Sequence, residues 1–506
     1  MANSVKKSAG WKILLPFFFV LLLLGMGLTY LVGDISATSS LLIVTIFGLV
    51  ASFVMTYAVN RLSRPLISPT MISASFTFQL SVLVAYLMAG GSPIVSGTIY
   101  HPNMTASPFY VVLPLLILPA ISLAVMVFAY PFLRKISNQS TLFMDLRDPA
   151  ETQKLVYYLS VAAALMVLSL PAVVYFGLLG YFIRILWAAL AMTPLLAGWL
   201  SSKNQRVNRI WIVALGVAML MALVTGGRGV AFRSIGYFMG GRIIGSTQRL
   251  RTREVLRIGG VGILVLILFG FIGNLRDQIG RVGVNEVSRE RVVSVFESSE
   301  ENLSADDSDV EGQGTTVHHG LRRLIVAANL AVPLLTERGI PLRSSDGLWE
   351  EAISYVDISL LSGSSKRSRL EQGLGSAAAT RYGFNVSTQT SVPFPVIADG
   401  WSRGGLLGAI LFGLFVCVVI IGVECLLIYI TSHTPARRAI LLCAIAIVAF
   451  FNINSQPAFS TLRGLLLFLP FTWISLVCLD LFRRLIMTHR SQRSGPRSIH
   501  SRSLKQ

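Results

Sequence analysis

Charge is scarce in this chain. Asp, Glu, Lys and Arg make up 13% of its 506 residues, against 53% hydrophobic residues, whereas a soluble domain carries about 25% charged residues. The mean hydropathy is +0.67. Such a composition is not soluble in water as a globule, so the expected solvent is the bilayer. Polar alternation is missing from the apolar runs, which are about 20 residues long. That excludes a membrane β-barrel and leaves helices, since in lipid every backbone polar group must be satisfied internally. Cysteine is scarce too. Cys417, Cys425, Cys443 and Cys478 all fall in apolar runs, which argues against a disulfide framework or a zinc site and for small core positions. No metal-ligand spacing, Walker loop, nucleophile elbow or HExxH motif occurs. No cofactor or metal is therefore expected. The run Gly259-Gly260-Val261-Gly262 lies inside an apolar stretch and reads as helix packing.

Apolar spans fall near 11–32, 40–59, 69–90, 109–133, 155–178, 182–200, 208–225, 229–245, 257–273, 404–431, 438–453 and 460–482. The sequence thus predicts an all-α polytopic membrane protein of about twelve transmembrane helices. The first span is long for a signal peptide, has no small-residue cleavage site directly after it, and is expected to be an uncleaved anchor. Residues 1–273 would hold nine spans, 274–403 a large hydrophilic loop, 404–482 three further spans and 483–506 a basic tail.

The formal charge is +19, and its distribution argues against a nucleic-acid surface. The loop 274–403 holds 17 of the 24 acidic residues but 13 of the 43 basic ones, leaving 30 basic against 7 acidic elsewhere. Those cations cluster in alternate short loops. They include Lys6, Lys7 and Lys12, Arg61 and Arg64, Arg134 to Lys154, Lys203 to Arg209, Arg249 to Arg257, Arg437 and Arg438, and the tail from Arg483 to Lys505. The intervening loops 33–39 and 91–108 have no Lys or Arg. The positive-inside rule then makes both termini cytoplasmic and the loop 274–403 extracytoplasmic. The acidic, Ser-rich stretch 297–313 reads as solvated. Helix-like apolar spacing at 319–336 and 347–362 suggests a helical cap over the membrane domain. No internal repeat is found, unlike many transporters.

Several arginines break this pattern by falling at the outer boundary. They are Arg184, Arg228, Arg233, Arg276, Arg281, Arg403 and Arg463. Arginine near a bilayer costs several kcal/mol unless paired or snorkelling, and its planar fork binds phosphate bidentately at any pH. Singly, each suits a headgroup contact. As a set they suggest an anion site, with Arg228 inside Thr225-Gly-Gly-Arg-Gly229, where glycines allow close backbone approach. Candidates for a base that orients an acceptor hydroxyl are Asp399, His318 and His319, with Glu350 and Glu351 behind them. The later glycines Gly404, Gly408 and Gly413 read as helix-packing positions.

Thr225-Gly-Gly-Arg-Gly-Val-Ala231 resembles the Thr-Gly-Ser-Arg-Gly-Ala pattern of the O-antigen polymerase (Wzy-type) family of oligosaccharide repeat-unit polymerases, with Gly227 in place of the serine. The large late loop and the stretch 393–408, Pro-Phe-Pro-Val-Ile-Ala-Asp-Gly-Trp-Ser-Arg-Gly-Gly-Leu-Leu-Gly, are also similar to that family's loop-to-helix entry. The resemblance implies a GT-C-like, inverting, metal-independent glycosyltransferase. It would join undecaprenyl-pyrophosphate-linked oligosaccharides into an O-antigen or exopolysaccharide, amid membrane lipids, with a chain-length regulator and a flippase as partners and no nucleic acid. Arg228, Arg233, Arg276, Arg281, Arg403 and Arg463 would hold the pyrophosphate. Two other readings stand beside it, and the first shares the layout. An O-antigen ligase would use His318 or His319 with Arg322 and a lipid A core acceptor. A lipid-linked oligosaccharide flippase would need repeat symmetry and ionisable residues deep in its spans, of which Glu424 is the main one here.

Overall fold

The computed structural model describes residues 66–88, 117–126 (except 123), 148–175, 193–225, 228–245, 395–453 (except 432) and 458–493, with single positions at 183, 190 and 260. Among these residues the chain is almost wholly helical and contains no strand. The helices, in order, are α1 (Ser68–Met88), α2 (Pro149–Tyr175), α3 (Thr193–Ser201), α4 (Gln205–Thr225), α5 (Arg228–Gly245), α6 (Val396–Ile430), α7 (Pro435–Ile447) and α8 (Ala458–Arg493). A π-helical turn, Val448–Asn452, extends α7, and a short apolar helical stretch runs Ile117–Met126.

These helices fall on the apolar runs and continue through the prolines inside them, Pro171 in α2 and Pro470 in α8. The starts carry the local signals. Pro69 and Pro435 stand in the first turns of α1 and α7, where a missing N–H costs no intrahelical bond. Three boundaries differ clearly from expectation, the first being the start of α2 at Pro149, six residues before the expected 155. The helix at 404–431 is preceded by two helical turns from Val396, inside the stretch expected to be loop. The last helix does not end near 482 but runs on to Arg493.

One helix among the described residues, Arg403–Ile430, is long and apolar enough to cross a membrane, and 33% of its apolar window is buried. The core helix of a soluble protein would be mostly buried. Here Leu407, Leu411, Phe415, Val418, Leu426 and Ile430 all point outward. The opposite face of α6, with Ala409, Val416, Cys417, Ile420 and Ile428, is fully buried against the bundle. α6 packs on α8, α7 and α1, while α5 packs closely on α3 and more loosely on α4. The α3–α5 crossing is a backbone contact. A Cβ added at Gly198 would lie 1.9 Å from the Phe238 carbonyl oxygen, and one at Gly241 would lie 1.8 Å from that of Leu195. Glycine is what lets the two helices meet.

Candidate functional site

The segment leading into α6 folds back on itself. Gly404 (φ −152°, ψ 27°) and Gly405 (φ 60°, ψ −147°) interrupt the helix. Gly405 alone among the described residues has a positive φ, in a region that essentially only glycine occupies. In an unbroken helix Gly400 and Gly408 would be about 12 Å apart. Instead a Cβ at Gly408 would sit 2.2 Å from the Gly400 carbonyl oxygen, and one at Gly413 would meet Ile397. The pairs 400/408 and 397/413 step outward from one pivot. Residues 396–403 therefore form the short arm of a helical hairpin, antiparallel to the long arm 406–430. Gly408 and Gly413 are packing positions. Gly404, read from sequence as a third, is instead part of the pivot, and a side chain there would meet nothing within 4 Å.

The short arm buries an ion pair. Val396, Ile397 and Ala398 are 0–2% exposed, which draws the following turn inward. Asp399 is completely buried and accepts the Arg403 Nε–H on Oδ1 at 2.8 Å, one helical turn away. The other oxygen, Oδ2, accepts the backbone N–H of Ala458, the first residue of α8, at 3.0 Å. One carboxylate thus fixes the Arg403 side chain and ties two helices together. The Arg403 guanidinium also lies 5.4 Å from the Phe412 ring, which itself packs edge-on against Phe459.

Of the residues picked out from sequence, Asp399 and Arg403 are in direct contact, and Arg463 lies five residues along α8 from the N–H that Asp399 holds. Arg228 is the first residue of α5 and Arg233 follows on the same helix. α5 makes its main contacts with α3 and α4, whereas α6 makes its own with α8, α7 and α1, so the two groups stand on different parts of the bundle. Arg184, Arg276, Arg281, His318, His319, Arg322, Glu350 and Glu351 lie outside the described residues.

A second polar cluster sits about six turns further along α8, at Asp480, and was not foreseen. Asp480 accepts the Tyr158 hydroxyl on Oδ1 at 2.5 Å and Arg437 Nε–H on Oδ2 at 2.9 Å, with Arg437 Nη2 also paired to it. Beside it Glu151 accepts the Ala436 N–H at the start of α7 at 3.1 Å and pairs with Lys154. Buried Arg438 donates through Nε and Nη2 to the Thr431 carbonyl at the end of α6. Asp480 is a lone acid near the end of the apolar run 460–482, just before the basic tail, and that was the one sequence signal for this cluster. No protein-family profile, characterised protein or solved structure matches the chain.

Proposed function

We propose that this chain is a polytopic membrane glycosyltransferase. In this reading it joins undecaprenyl-pyrophosphate-linked repeat units into a surface polysaccharide at the outer face of a bacterial inner membrane. The membrane part draws support from a long apolar helix that is mostly unburied. It also draws support from the spacing of the two polar clusters. Ala458, held by Asp399, and Asp480, held by Arg437, stand on one helix about 33 Å apart at 1.5 Å per residue. That separation is close to the ~30 Å hydrocarbon core. The cation-rich Asp480 end is assigned to the cytoplasm and the Asp399 end to the outside.

The observation that carries the catalytic reading is the hairpin itself. It folds residues 396–403 back into the helix bundle and holds a buried, oriented arginine beside the Gly404–Gly405 pivot. In the reaction, the acceptor hydroxyl oxygen of one lipid-linked unit attacks the anomeric carbon of the growing glycan. The bond from that carbon to the pyrophosphate breaks, and undecaprenyl pyrophosphate leaves with the electron pair. Pyrophosphate is already a good leaving group, so the protein need supply only proximity and positive charge. Arg403 and Arg463, with Arg228 and Arg233 on α5, are assigned to that charge, together with Arg276 and Arg281 of the loop. Both oxygens of Asp399 are engaged, so we assign it to positioning Arg403 and leave the hydroxyl proton to His318 or His319.

The test is deletion of the gene with glycan electrophoresis, then complementation with Arg228→Ala and Arg403→Lys at matched protein levels. Loss of the long-glycan ladder with single-unit capping retained is expected. Loss of capping as well would point to a ligase. A full-length ladder from Arg228→Ala would remove that residue from the site. Purified protein that fails to lengthen lipid-pyrophosphate oligosaccharides, yet moves them across vesicles, would replace the enzyme with a flippase.

A further inference from the structure

The last helix does not stop where the bundle does. Asp480 is tied to Arg437 and Tyr158, at the level where α6 has ended at Thr431 and α7 begins. α8 continues to Arg493. Directly beyond Asp480, Leu481, Phe482, Leu485 and Ile486 are 55%, 58%, 69% and 40% exposed. At 3.6 residues per turn these four share one arc of roughly 140°, bordered by Arg483 on one side and Arg484 on the other. The chain after Asp480 contains Arg483, Arg484, Arg490, Arg493, Arg497, Arg502 and Lys505 and no acidic residue.

We propose that this extension is an anionic-lipid contact. Its apolar arc meets the acyl boundary, and Arg483 and Arg484 sit on headgroup phosphates of the same leaflet. The inference rests on the membrane reading above and is independent of the polymerase chemistry. Depth supports it, since residues 480–486 rise about 9 Å, comparable to the headgroup layer outside the hydrocarbon core. Charge supports it as well. Juxtamembrane cations are drawn to acidic lipid. A second copy of this chain would bring the same positive charge to the contact and be repelled.

The experiment uses the full-length protein carrying Cys478→Ser, which removes the exposed native thiol, and Ile486→Cys. It is reconstituted into nanodiscs of phosphatidylcholine alone or with about one-third phosphatidylglycerol. Labelling by a membrane-impermeant maleimide is expected to be about tenfold slower in the acidic discs. Adding Arg483→Gln and Arg484→Gln, or high salt, should abolish the difference. Equal rates in the two lipids would overturn the proposal. So would protection that depends on protein concentration and not on lipid, which would indicate self-association. Should the cysteine variant not fold, native mass spectrometry of the unmodified protein must find phosphatidylglycerol retained over phosphatidylcholine, and equal retention overturns the proposal. A protein that does not enter the discs at all would overturn the membrane reading instead, which separates the two failures.

Discussion

Glu424 closes the first turn of α1 by accepting both the backbone N–H of Ser68, at 2.9 Å, and its hydroxyl on one carboxylate oxygen. The other oxygen accepts the N–H of Ile67. Helix N-termini carry orphan N–H groups and a partial positive charge, and this one is buried, with Glu424, Ile67 and Ser68 all 4% exposed or less. Glu424 is the deep ionisable residue that a transporter reading needs, yet it is engaged by three donors as a helix cap.

Glu424→Ala should therefore destabilise the protein by about 3 kcal/mol, because buried donors are left without an acceptor. Glu424→Gln retains one carbonyl acceptor and should cost less. Thermal unfolding in detergent measures both. At matched protein levels Glu424→Gln should leave glycan length unchanged. A carrier that worked by protonating this carboxylate would lose function in the same variant, and that outcome would revive the flippase.

The pivot of the hairpin yields a contrast between neighbours. Gly405 needs φ 60° with ψ −147°, a conformation costing a residue with a side chain about 1–3 kcal/mol. Gly404 has φ −152°, and a Cβ there meets open space. Gly405→Ala is expected to lower stability and to shorten the glycan by misaiming Arg403, while Gly404→Ala does neither. Equal behaviour of the two variants would mean that the hairpin does not form.

Among the described residues most helix positions were legible in the sequence, because a long apolar run without polar alternation has few structural options; the spans expected near 11–32 and 40–59 lie outside the described residues. The short arm 396–403 was not. It is two turns of mixed polarity, Val-Ile-Ala-Asp-Gly-Trp-Ser-Arg, too brief to show a period, and its burial depends on meeting the arm that follows. The arginine pattern singled out Arg403 and the position before the span singled out Asp399, but nothing in the sequence shows that Ala458 takes the second oxygen of Asp399. The ties of Glu424 to Ser68 and of Tyr158 to Asp480 join residues more than 300 positions apart. Local pattern carries no trace of them.

The α3–α5 contact predicts a position-specific cost on α5. A methyl at Gly241 would lie 1.8 Å from a backbone oxygen, which cannot swing aside, whereas one at Gly236 meets nothing within 4 Å. Gly241→Ala should cost about 1–3 kcal/mol through forced separation of the helices. Gly236→Ala should be neutral or gain up to ~1 kcal/mol from helix propensity. Because α5 begins at Arg228, Gly241→Ala is also expected to reduce transfer, and unfolding curves paired with glycan gels check both effects.

The Asp399–Arg403 pair allows structure and chemistry to be separated. Asp399→Asn removes the carboxylate paired with a guanidinium that is 4% exposed, a change that costs about 3–5 kcal/mol when one member of a buried pair is removed. Replacing both members with apolar groups of similar volume is often close to neutral. The double variant Asp399→Leu/Arg403→Met should thus recover much of the stability that Asp399→Asn loses, less the bond to Ala458. Its transfer rate should nonetheless stay about 100-fold down, the scale set by losing one group that stabilises developing charge. If Asp399 positions Arg403 as proposed, the pH–rate profile of Asp399→Asn should keep its shape while its height falls. Loss of the acidic limb in that variant would make Asp399 the base after all. A stable double variant that polymerises at the normal rate would take Arg403 out of the anion site.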